Sequence, residues 1–214
     1  MEIWMKYILI ALIGYALGNI SVGIMIARLY GVNDIRKLGS GNAGSTNVLR
    51  NLGWVPSVLT LVGDCLKALI AAWIGKAMIG EVGVLIGGVF AMIGHDFPVV
   101  FKFKGGKGIA AALGMILMVN PWLGIGLTAV VVATAACTGY VSLGSVIVCF
   151  LYPISIAIMK QGNPHYSAYL IFSILPALLT LFQHRKNIQR LLRGEENKLN
   201  FSKISKIHSK IKKH

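Results

Sequence analysis

The 214-residue chain is too apolar for an ordinary soluble domain, because 56% of its residues are hydrophobic and only 13% are charged. A typical soluble domain has about 25% charged residues. The formal net charge of +14 would suggest nucleic-acid binding in a soluble protein, but here the basic residues flank apolar runs, so membrane topology explains the charge better. We therefore predict an all-α, polytopic integral membrane protein of about seven transmembrane helices, with no nucleic-acid partner.

The first apolar run carries no charge over residues 7–27, which is long enough to cross a hydrocarbon core of about 30 Å as a helix. A signal peptide would need a basic start and a small-residue cleavage site. Here Glu2 offsets Lys6, and the run ends in Ala27-Arg28-Leu29. We therefore predict a retained span over residues 5–30.

The remaining spans are separated by chemically recognisable breaks. Asn120-Pro121 divides two apolar runs, since proline disfavours helix in the residue before it. Thr138-Gly139 is a weaker break, and Gln161-Gly162-Asn163-Pro164 marks a turn. The third and fourth helices are short, and half-helices at membrane depth need ends that are buried in protein or line a wet cavity. The predicted helices cover residues 5–30, 54–79, 82–95, 107–119, 121–138, 140–159 and 166–183.

The distribution of basic residues predicts the orientation. With seven spans, Lys6, Lys76 and Lys160 fall on one side, Lys67 falls within a span, and the other 17 of the 21 Lys and Arg residues fall on the side of the C-terminus. By the positive-inside rule, the N-terminus is outside and the C-terminus inside. Residues 1–198 are expected to form the membrane-embedded domain and residues 199–214 a basic cytoplasmic tail.

Few polar or reactive side chains lie within the spans. Cys65, Cys137 and Cys149 have no metal-ligand spacing, so neither a disulfide framework nor a metal site is expected. Asp64 and Lys67 lie three residues apart inside the second span, where ionised groups are costly unless paired or facing water. Pairing with each other and exposure of Lys67 to a polar cavity both remain open, and a structural role is favoured.

The first polar segment, residues 34–50, has the composition of an anion-binding loop. Residues 39–47 contain three Gly, two Ser, one Thr and two Asn. Glycines let backbone N–H groups turn toward an anion, hydroxyls and amides add neutral donors, and Arg50 can bind a phosphate through two donors. A flexible loop is the alternative interpretation. The candidate ligands here are Ser40, Gly41, Asn42, Thr46, Asn47 and Arg50.

The second polar segment, residues 94–108, places Lys104 and Lys107 on either side of a glycine pair, just before a predicted helix. A phosphate could lie at that helix N-terminus. The segment is not a Walker A loop, because Phe101 stands where glycine is required and Gly108 follows the lysine. His95 ends an apolar helix, and both a structural and a catalytic role remain open for it.

The third polar segment, residues 184–196, predicts a helix with His184 and Asn187 on one face and Arg190 on another. A basic juxtamembrane helix held by anionic lipid is the alternative. Ser142 lies at the start of the sixth predicted span and reaches the same side of the membrane. The three segments together indicate a phosphate-compound site beside lipid, which by itself does not distinguish an enzyme from a transporter.

The three segments resemble the motifs of the bacterial acyl-phosphate-dependent glycerol-3-phosphate acyltransferase family, and the resemblance covers the whole chain. The segment from Asp34 to Arg50 looks like the first motif, the segment from Gly94 to Gly108 like the second, and the segment from His184 to Glu196 like the third. One departure is Gly18-Asn-Ile-Ser21, where family members often have Gly-Ser-Ile-Pro, a difference at a helix kink. The His-x4-Asp motif of soluble-type acyltransferases is absent.

The resemblance implies transfer of a fatty acyl group from acyl phosphate to the 1-hydroxyl of sn-glycerol 3-phosphate. The product is lysophosphatidic acid, made for phospholipid biosynthesis at the cytoplasmic face of a bacterial inner membrane, with no cofactor and no metal. His95 is the preferred general base, although a substrate phosphate could take that role, and Ser40 is expected to position substrate rather than to be acylated. The implied substrate-binding residues are Gly41, Asn42, Thr46, Asn47, Arg50, Lys104, Lys107, Ser142, His184, Asn187, Arg190 and Glu196.

Two other functions compete with this interpretation. A transporter for a phosphorylated solute would place ionisable groups near the bilayer midplane and often contain inverted repeats, whereas here the basic groups cluster at one interface and no repeat is found. A non-catalytic scaffold would explain the basic tail but not the three polar segments. The preferred interpretation is therefore an enzyme embedded in the bilayer. It is expected to be monomeric.

Overall fold

The computed structural model describes residues 2–200 and Ile204, and throughout those residues every regular element is helical. Six helical stretches are long and apolar enough to cross a membrane, and one shorter apolar helix accompanies them. This agrees with the predicted all-α membrane fold. The α-helices are α1 (Ile3–Gly18), α2 (Val22–Leu29), α3 (Ser45–Leu52), α4 (Trp54–Ile79), α5 (Glu81–Asp96), α6 (Ile109–Val119), α7 (Pro121–Thr138), α8 (Val141–Met159), α9 (Tyr166–Gln183) and α10 (Arg185–Leu192), with short 3-10 turns at Ile35–Lys37 and Val99–Phe101.

The first span is not the continuous helix that we predicted over residues 5–30. Helix α1 ends at Gly18 and α2 begins at Val22. The side chain of Asn19 donates to the Tyr15 carbonyl at 2.7 Å, and the carbonyl of Ile20 accepts a bond of 2.6 Å from Lys67 Nζ instead of serving the helix. The break therefore presents a backbone acceptor within the bundle.

Helices α1, α4 and α5 pack closely because small residues meet at their contacts. A Cβ added to Gly18 would lie 2.2 Å from the Ala91 carbonyl oxygen, and one added to Gly75 would lie 2.0 Å from the Gly83 carbonyl oxygen. Small residues permit such approach in membrane bundles, where packing rather than the hydrophobic effect holds helices together. The contacts fix the position of α5, which is the most buried span.

The length difference between α4 and α5 creates a recess at one end of the bundle. Helix α4 has 26 residues and the following, antiparallel α5 has 16. At 1.5 Å per residue α5 is about 15 Å shorter, so His95 near its end lies beside Lys67 rather than beside Trp54 at the start of α4. The polar loops fold into the space that remains, and we call this the loop-rich end.

Contacts between distant segments hold the loop-rich end together. Arg36 pairs with Asp34 at 2.8 Å and donates to the carbonyls of Phe101 and Lys104 at 3.2 and 3.0 Å, so the first and second polar segments are joined. The Leu199 N–H donates to the Gly139 carbonyl at 2.8 Å. Of the predicted tail over residues 199–214, only Leu199, Asn200 and Ile204 are described, and Ile204 is buried; the others lie outside the described residues.

Candidate functional site

A cavity of about 470 Å³ opens at the loop-rich end and brings the three polar segments together. Most residues that the sequence singled out line it, although these residues span most of the chain. Its lining includes Ser40, Asn42, Thr46, Asn47, Arg50, His95, Lys107, Ser142, His184, Asn187 and Glu196. The remaining wall is mostly apolar and comes mainly from α4, α6, α7, α8 and α9.

Three of the sequence-predicted ligands do not line the cavity. Gly41 adopts a positive φ of 72° in the turn before α3. Lys104 has an exposed side chain, and its backbone carbonyl accepts from Arg36. Arg190 directs its guanidinium to Glu196, with Nε 2.7 Å from Oε2. These residues shape the loops around the cavity instead of facing its interior.

Asn47 organises the first polar segment. Its side-chain amide is buried and donates to the carbonyls of Ile35, Leu38 and Asn42 at 3.1, 3.0 and 2.8 Å, while its Oδ1 accepts from the Ser40 N–H at 2.9 Å. One side chain thus fixes four points of the loop. Although Asn47 borders the cavity, its polar atoms are committed to the loop, which sets the position of Ser40.

Arg50 and the start of α3 supply donors to the same wall. Arg50 Nη2 donates to the Asn197 carbonyl at 2.8 Å, and its buried Nε has no partner. Burial lowers the pKa of Arg50, but arginine remains charged at physiological pH. Ser45 and Thr46 open α3 and line the cavity, and the first N–H groups of a helix lack intrahelical partners. Together they form a wall suited to an anion.

Lys67 joins His95 and Asp64 in one buried cluster, which extends the site beyond the residues that we predicted. Lys67 Nζ lies 2.8 Å from Asp64 Oδ1 and 2.9 Å from His95 Nδ1. Of the two possibilities that the sequence left open for Lys67, the structure has the pairing with Asp64. The contact with His95 was missed, although ionisable groups at membrane depth are a general signal of function.

The glycine pair of the second segment packs against His95 rather than cradling an anion. The N–H groups of Gly105 and Gly106 donate to the carbonyls of Asp96 and His95 at 3.2 and 3.0 Å. A Cβ added to Gly106 would lie only 1.8 Å from His95 Nε2. Glycine is therefore required here to let the loop approach the imidazole.

A chain of hydrogen bonds links the second and third segments. Lys107 Nζ donates to Asn187 Oδ1 at 2.5 Å, and Asn187 Nδ2 donates to Glu196 Oε1 at 2.7 Å. Ser142 also donates to Glu196, at 3.1 Å. Although burial opposes it, hydrogen bonding from Arg190, Asn187 and Ser142 lowers the pKa of Glu196. Asn187 and Arg190 were assigned to different helix faces, yet both reach this carboxylate because it folds back over α10.

His184 and Lys107 are two basic groups at this wall whose pKa values are lowered. His184 Nδ1 lies 2.9 Å from the Thr180 carbonyl, which can only accept, so Nδ1 carries a hydrogen. Burial, together with the charge of Lys107, lowers the pKa of His184 to about 4. Burial lowers the pKa of Lys107 to about 8. An entering anion would favour the charged form of both.

The apolar part of the cavity extends between α4 and α7 toward the outer surface of the bundle. Val58 and Leu61 of α4 and Val132 of α7 line it and are also exposed on that surface. Its inner wall includes Ile116 and Tyr152, which belong to the buried core. One end of the cavity can therefore hold an anion while the other holds an apolar chain.

Comparisons with a family model and with related sequences point to the same protein family. The family model for glycerol-3-phosphate acyltransferase matches residues 8–194. A glycerol-3-phosphate acyltransferase of Thermoanaerobacter pseudethanolicus is 42% identical over 195 residues, which cover 91% of this chain and 96% of the relative. One of Clostridioides difficile is 42% identical over 205 residues, covering 93% and 98%.

Solved structures of the integral membrane glycerol 3-phosphate acyltransferase PlsY match the fold. The glycerol 3-phosphate form has a TM-score of 0.83 and 35% identity, covering 92% of this chain and 98% of that one. The lysophosphatidic acid form has a TM-score of 0.82 and 34% identity, covering 92% and 97%. The chain therefore belongs to the glycerol-3-phosphate acyltransferase family.

Proposed function

We propose that this protein transfers a fatty acyl group from acyl phosphate to the 1-hydroxyl of sn-glycerol 3-phosphate, giving lysophosphatidic acid and inorganic phosphate. The observation that carries the proposal is one cavity with Arg50 and Lys107 at its polar end and an apolar wall that continues to the lipid-facing surface. The related enzyme PlsY has been solved in a glycerol 3-phosphate form and a lysophosphatidic acid form. An acceptor phosphate suits the polar end, and an acyl chain suits the apolar end.

The size of the cavity favours acyl phosphate as the donor. A volume of about 470 Å³ lies at the small end of the range of ligand pockets. Acyl phosphate adds only one phosphate group to the acyl chain, whereas acyl-coenzyme A would bring a much larger nucleotide into the same space as the acceptor. Acyl phosphate is also a mixed anhydride, so its leaving group is good without further activation.

Holding two phosphates together is the main task of the polar end. The guanidinium of Arg50 and the ammonium of Lys107 neutralise their charges, and the first N–H groups of α3 add oriented dipoles. These donors also stabilise the negative charge that develops on the carbonyl oxygen and on the leaving phosphate. A bound phosphate would also favour the charged form of His184.

The transfer requires one bond exchange and one proton transfer. The acceptor hydroxyl oxygen bonds to the carbonyl carbon, the bond from that carbon to the phosphate oxygen breaks, and phosphate leaves. The hydroxyl proton passes either to His95 or to a phosphate oxygen of a substrate. Ser40 positions a substrate, because the reactive donor needs no acyl-enzyme step.

The location of the site follows from the charge pattern. Positive residues concentrate in the loops of the loop-rich end, so this end faces the cytoplasm of a bacterial inner membrane. Residues 1–198 form the membrane-embedded acyltransferase domain, followed by the basic tail. The protein is proposed to act as a monomer, with the donor entering sideways between α4 and α7, whose cavity-lining residues are exposed on the outer surface.

The decisive assay incubates purified protein with palmitoyl phosphate and glycerol 3-phosphate and identifies lipid products by mass spectrometry. Lysophosphatidic acid is expected with palmitoyl phosphate and not with palmitoyl-coenzyme A. Product from palmitoyl-coenzyme A alone would overturn the donor assignment. Absence of product with both donors would overturn the enzymatic function, and glycerol 3-phosphate uptake by proteoliposomes without product would favour a transporter.

A further inference from the structure

Residues 196–200, which we call the strap, run from the end of the third polar segment to the turn between α7 and α8. The Asn197 carbonyl accepts a hydrogen bond of 2.8 Å from Arg50 Nη2. The Leu199 N–H donates to the Gly139 carbonyl at 2.8 Å. The strap is therefore tied to α3 on one side and to the α7–α8 turn on the other.

Side-chain contacts also hold the strap in place. Lys198 Nζ lies 5.2 Å from the centre of the Tyr140 ring, and the Lys198 Cβ would lie 3.3 Å from a Cβ added to Gly139. At the other end of the strap, the buried Glu196 carboxylate accepts from Ser142 at 3.1 Å. Both ends of the strap thus contact residues at or near the start of α8, so the strap forms part of the cavity wall.

Leu199 is the strap residue at the boundary between the polar and the apolar wall. It lines the cavity together with Ala136 and Val141, which flank the α7–α8 turn, while Ser142 follows at once on the polar side. In the proposed reaction the acyl chain lies along the apolar wall and the phosphates lie at the polar end, so the reacting carbonyl lies at this boundary. Leu199 is half-buried, which places its side chain between the cavity and the solvent.

The reactivity of acyl phosphate gives this position a chemical consequence. A mixed anhydride reacts with water as well as with an alcohol, and a closed site prevents such side reactions by excluding water. The acceptor has a separate entrance, because Ser40 lines the cavity and is exposed. The strap can therefore stay closed while glycerol 3-phosphate enters.

We propose that Leu199 is a specificity-determining residue that keeps water from the reacting carbonyl, so that the acyl group passes to glycerol 3-phosphate and not to water. This inference rests on the acyl transfer proposed above. Leu199 lies beyond residues 8–194, which the family model matches, so the inference concerns the C-terminal segment of this chain. In the excluded reaction the water oxygen bonds to the carbonyl carbon and the bond to the phosphate oxygen breaks. Fatty acid and inorganic phosphate leave, and one proton is released.

The test measures how the acyl group divides between the two acceptors. Purified protein is incubated with palmitoyl phosphate and saturating glycerol 3-phosphate in oxygen-18 water, and mass spectrometry quantifies lysophosphatidic acid and palmitic acid that contains one oxygen-18 atom. Hydrolysis without enzyme is subtracted. In Leu199→Ala the loss of three carbon atoms opens room for water, and the ratio of labelled palmitic acid to lysophosphatidic acid is expected to rise about tenfold, which corresponds to about 1.4 kcal/mol between the two barriers.

Two further variants serve as controls. Leu199→Met nearly conserves the side-chain volume and should keep the wild-type ratio. Leu192→Ala removes an equally apolar side chain that is 84% exposed and should also leave the ratio unchanged. A tenfold rise in either control would overturn the assignment to Leu199.

The ratio also distinguishes water exclusion from a merely structural role. Loss of folded protein lowers the rate of transfer without directing the acyl group to water, so a lower rate with an unchanged ratio in Leu199→Ala would overturn this inference while the acyl transfer stood. Absence of lysophosphatidic acid with the wild-type protein would overturn the acyl transfer itself, and this inference with it.

Discussion

Lys107 Nζ and Asn187 Oδ1 lie 2.5 Å apart, and this bond joins two polar segments that are 80 residues apart in the chain. From Asn187 the hydrogen bonds continue to Glu196, which also accepts from Ser142 and Arg190. The third segment is thereby folded over the cavity as one of its walls. The arrangement makes the Glu196 carboxylate the structural support for Lys107, a group that binds phosphate in the proposed function.

Glu196→Gln should therefore weaken this wall. The amide loses the charge that pairs with Arg190 and cannot accept at both atoms, so we expect the free energy of unfolding to fall by about 1–3 kcal/mol and activity to fall with it. Thermal unfolding in detergent and the initial rate measure the two effects. Glu195→Gln is the matched control, since Glu195 is exposed next to it, and equal effects in the two variants would contradict the assigned role.

The KM for glycerol 3-phosphate should rise as the pH increases above about 8. Burial lowers the pKa of Lys107 to about 8, so the free enzyme loses this positive charge as the pH rises through 8, and binding of the anion weakens. Well below pH 8 Lys107 is charged, so its contribution to the KM for glycerol 3-phosphate does not change with pH. Steady-state kinetics between pH 7 and pH 9, about one unit on either side of this value, measure the change.

Lys107→Arg supplies the control for that pH dependence. Arginine stays charged throughout the range, so the alkaline rise in KM should disappear even if the absolute KM changes. If KM still rose above pH 8 in Lys107→Arg, a group other than Lys107 would control the rise.

Gly106→Ala should reduce kcat by about 100-fold, because a displacement of roughly 1 Å at a reacting group costs this much. The new Cβ would lie 1.8 Å from His95 Nε2, so the imidazole or the loop must move. Gly126→Ala is the control, since a Cβ there meets nothing within 4 Å. Folding of both variants is checked by thermal unfolding, and near-normal kcat in folded Gly106→Ala would contradict the assigned contact.

Tyr152 should limit the length of the acyl chain. It lines the cavity and belongs to the buried core, and it lies ten residues beyond Ser142 on α8, about 15 Å along the helix. Tyr152→Ala is expected to shift preference toward longer acyl phosphates in competition assays with a mixture of chain lengths. Tyr169→Ala, in the same core but not in the cavity lining, is the control; the same shift in both variants would point to general loosening.

Much of the membrane architecture could be predicted because local chemistry marks its boundaries. Helix α4 has the predicted bounds of residues 54–79, and Pro121, Gly139 and Pro164 mark breaks between spans. The family resemblance placed a kink at residues 18–21, but the apolar pattern did not predict that α1 ends there, because apolar residues continue on both sides. Helix α3 was also missed, since its Ser- and Asn-rich sequence is equally typical of a loop.

The site was only partly predictable, because local sequence does not show which side chains of distant helices come into contact. Motif composition identified Arg50, Lys107 and His184, all of which line the cavity. The role of Lys67 as a neighbour of His95 could not be read from its spacing to Asp64, because the contact joins two helices. Lys104 has the same charge as Lys107 and a similar setting in sequence, but the fold leaves it outside the cavity.

Phosphorus-31 NMR of purified protein with acyl phosphate and glycerol 3-phosphate tests the central claim most directly, because it resolves both substrates and both products at once. Acyl phosphate and glycerol 3-phosphate are expected to disappear in equal amounts while lysophosphatidic acid and inorganic phosphate appear, and without glycerol 3-phosphate the donor should persist. Release of inorganic phosphate without formation of lysophosphatidic acid would contradict direct transfer between two substrates in one cavity.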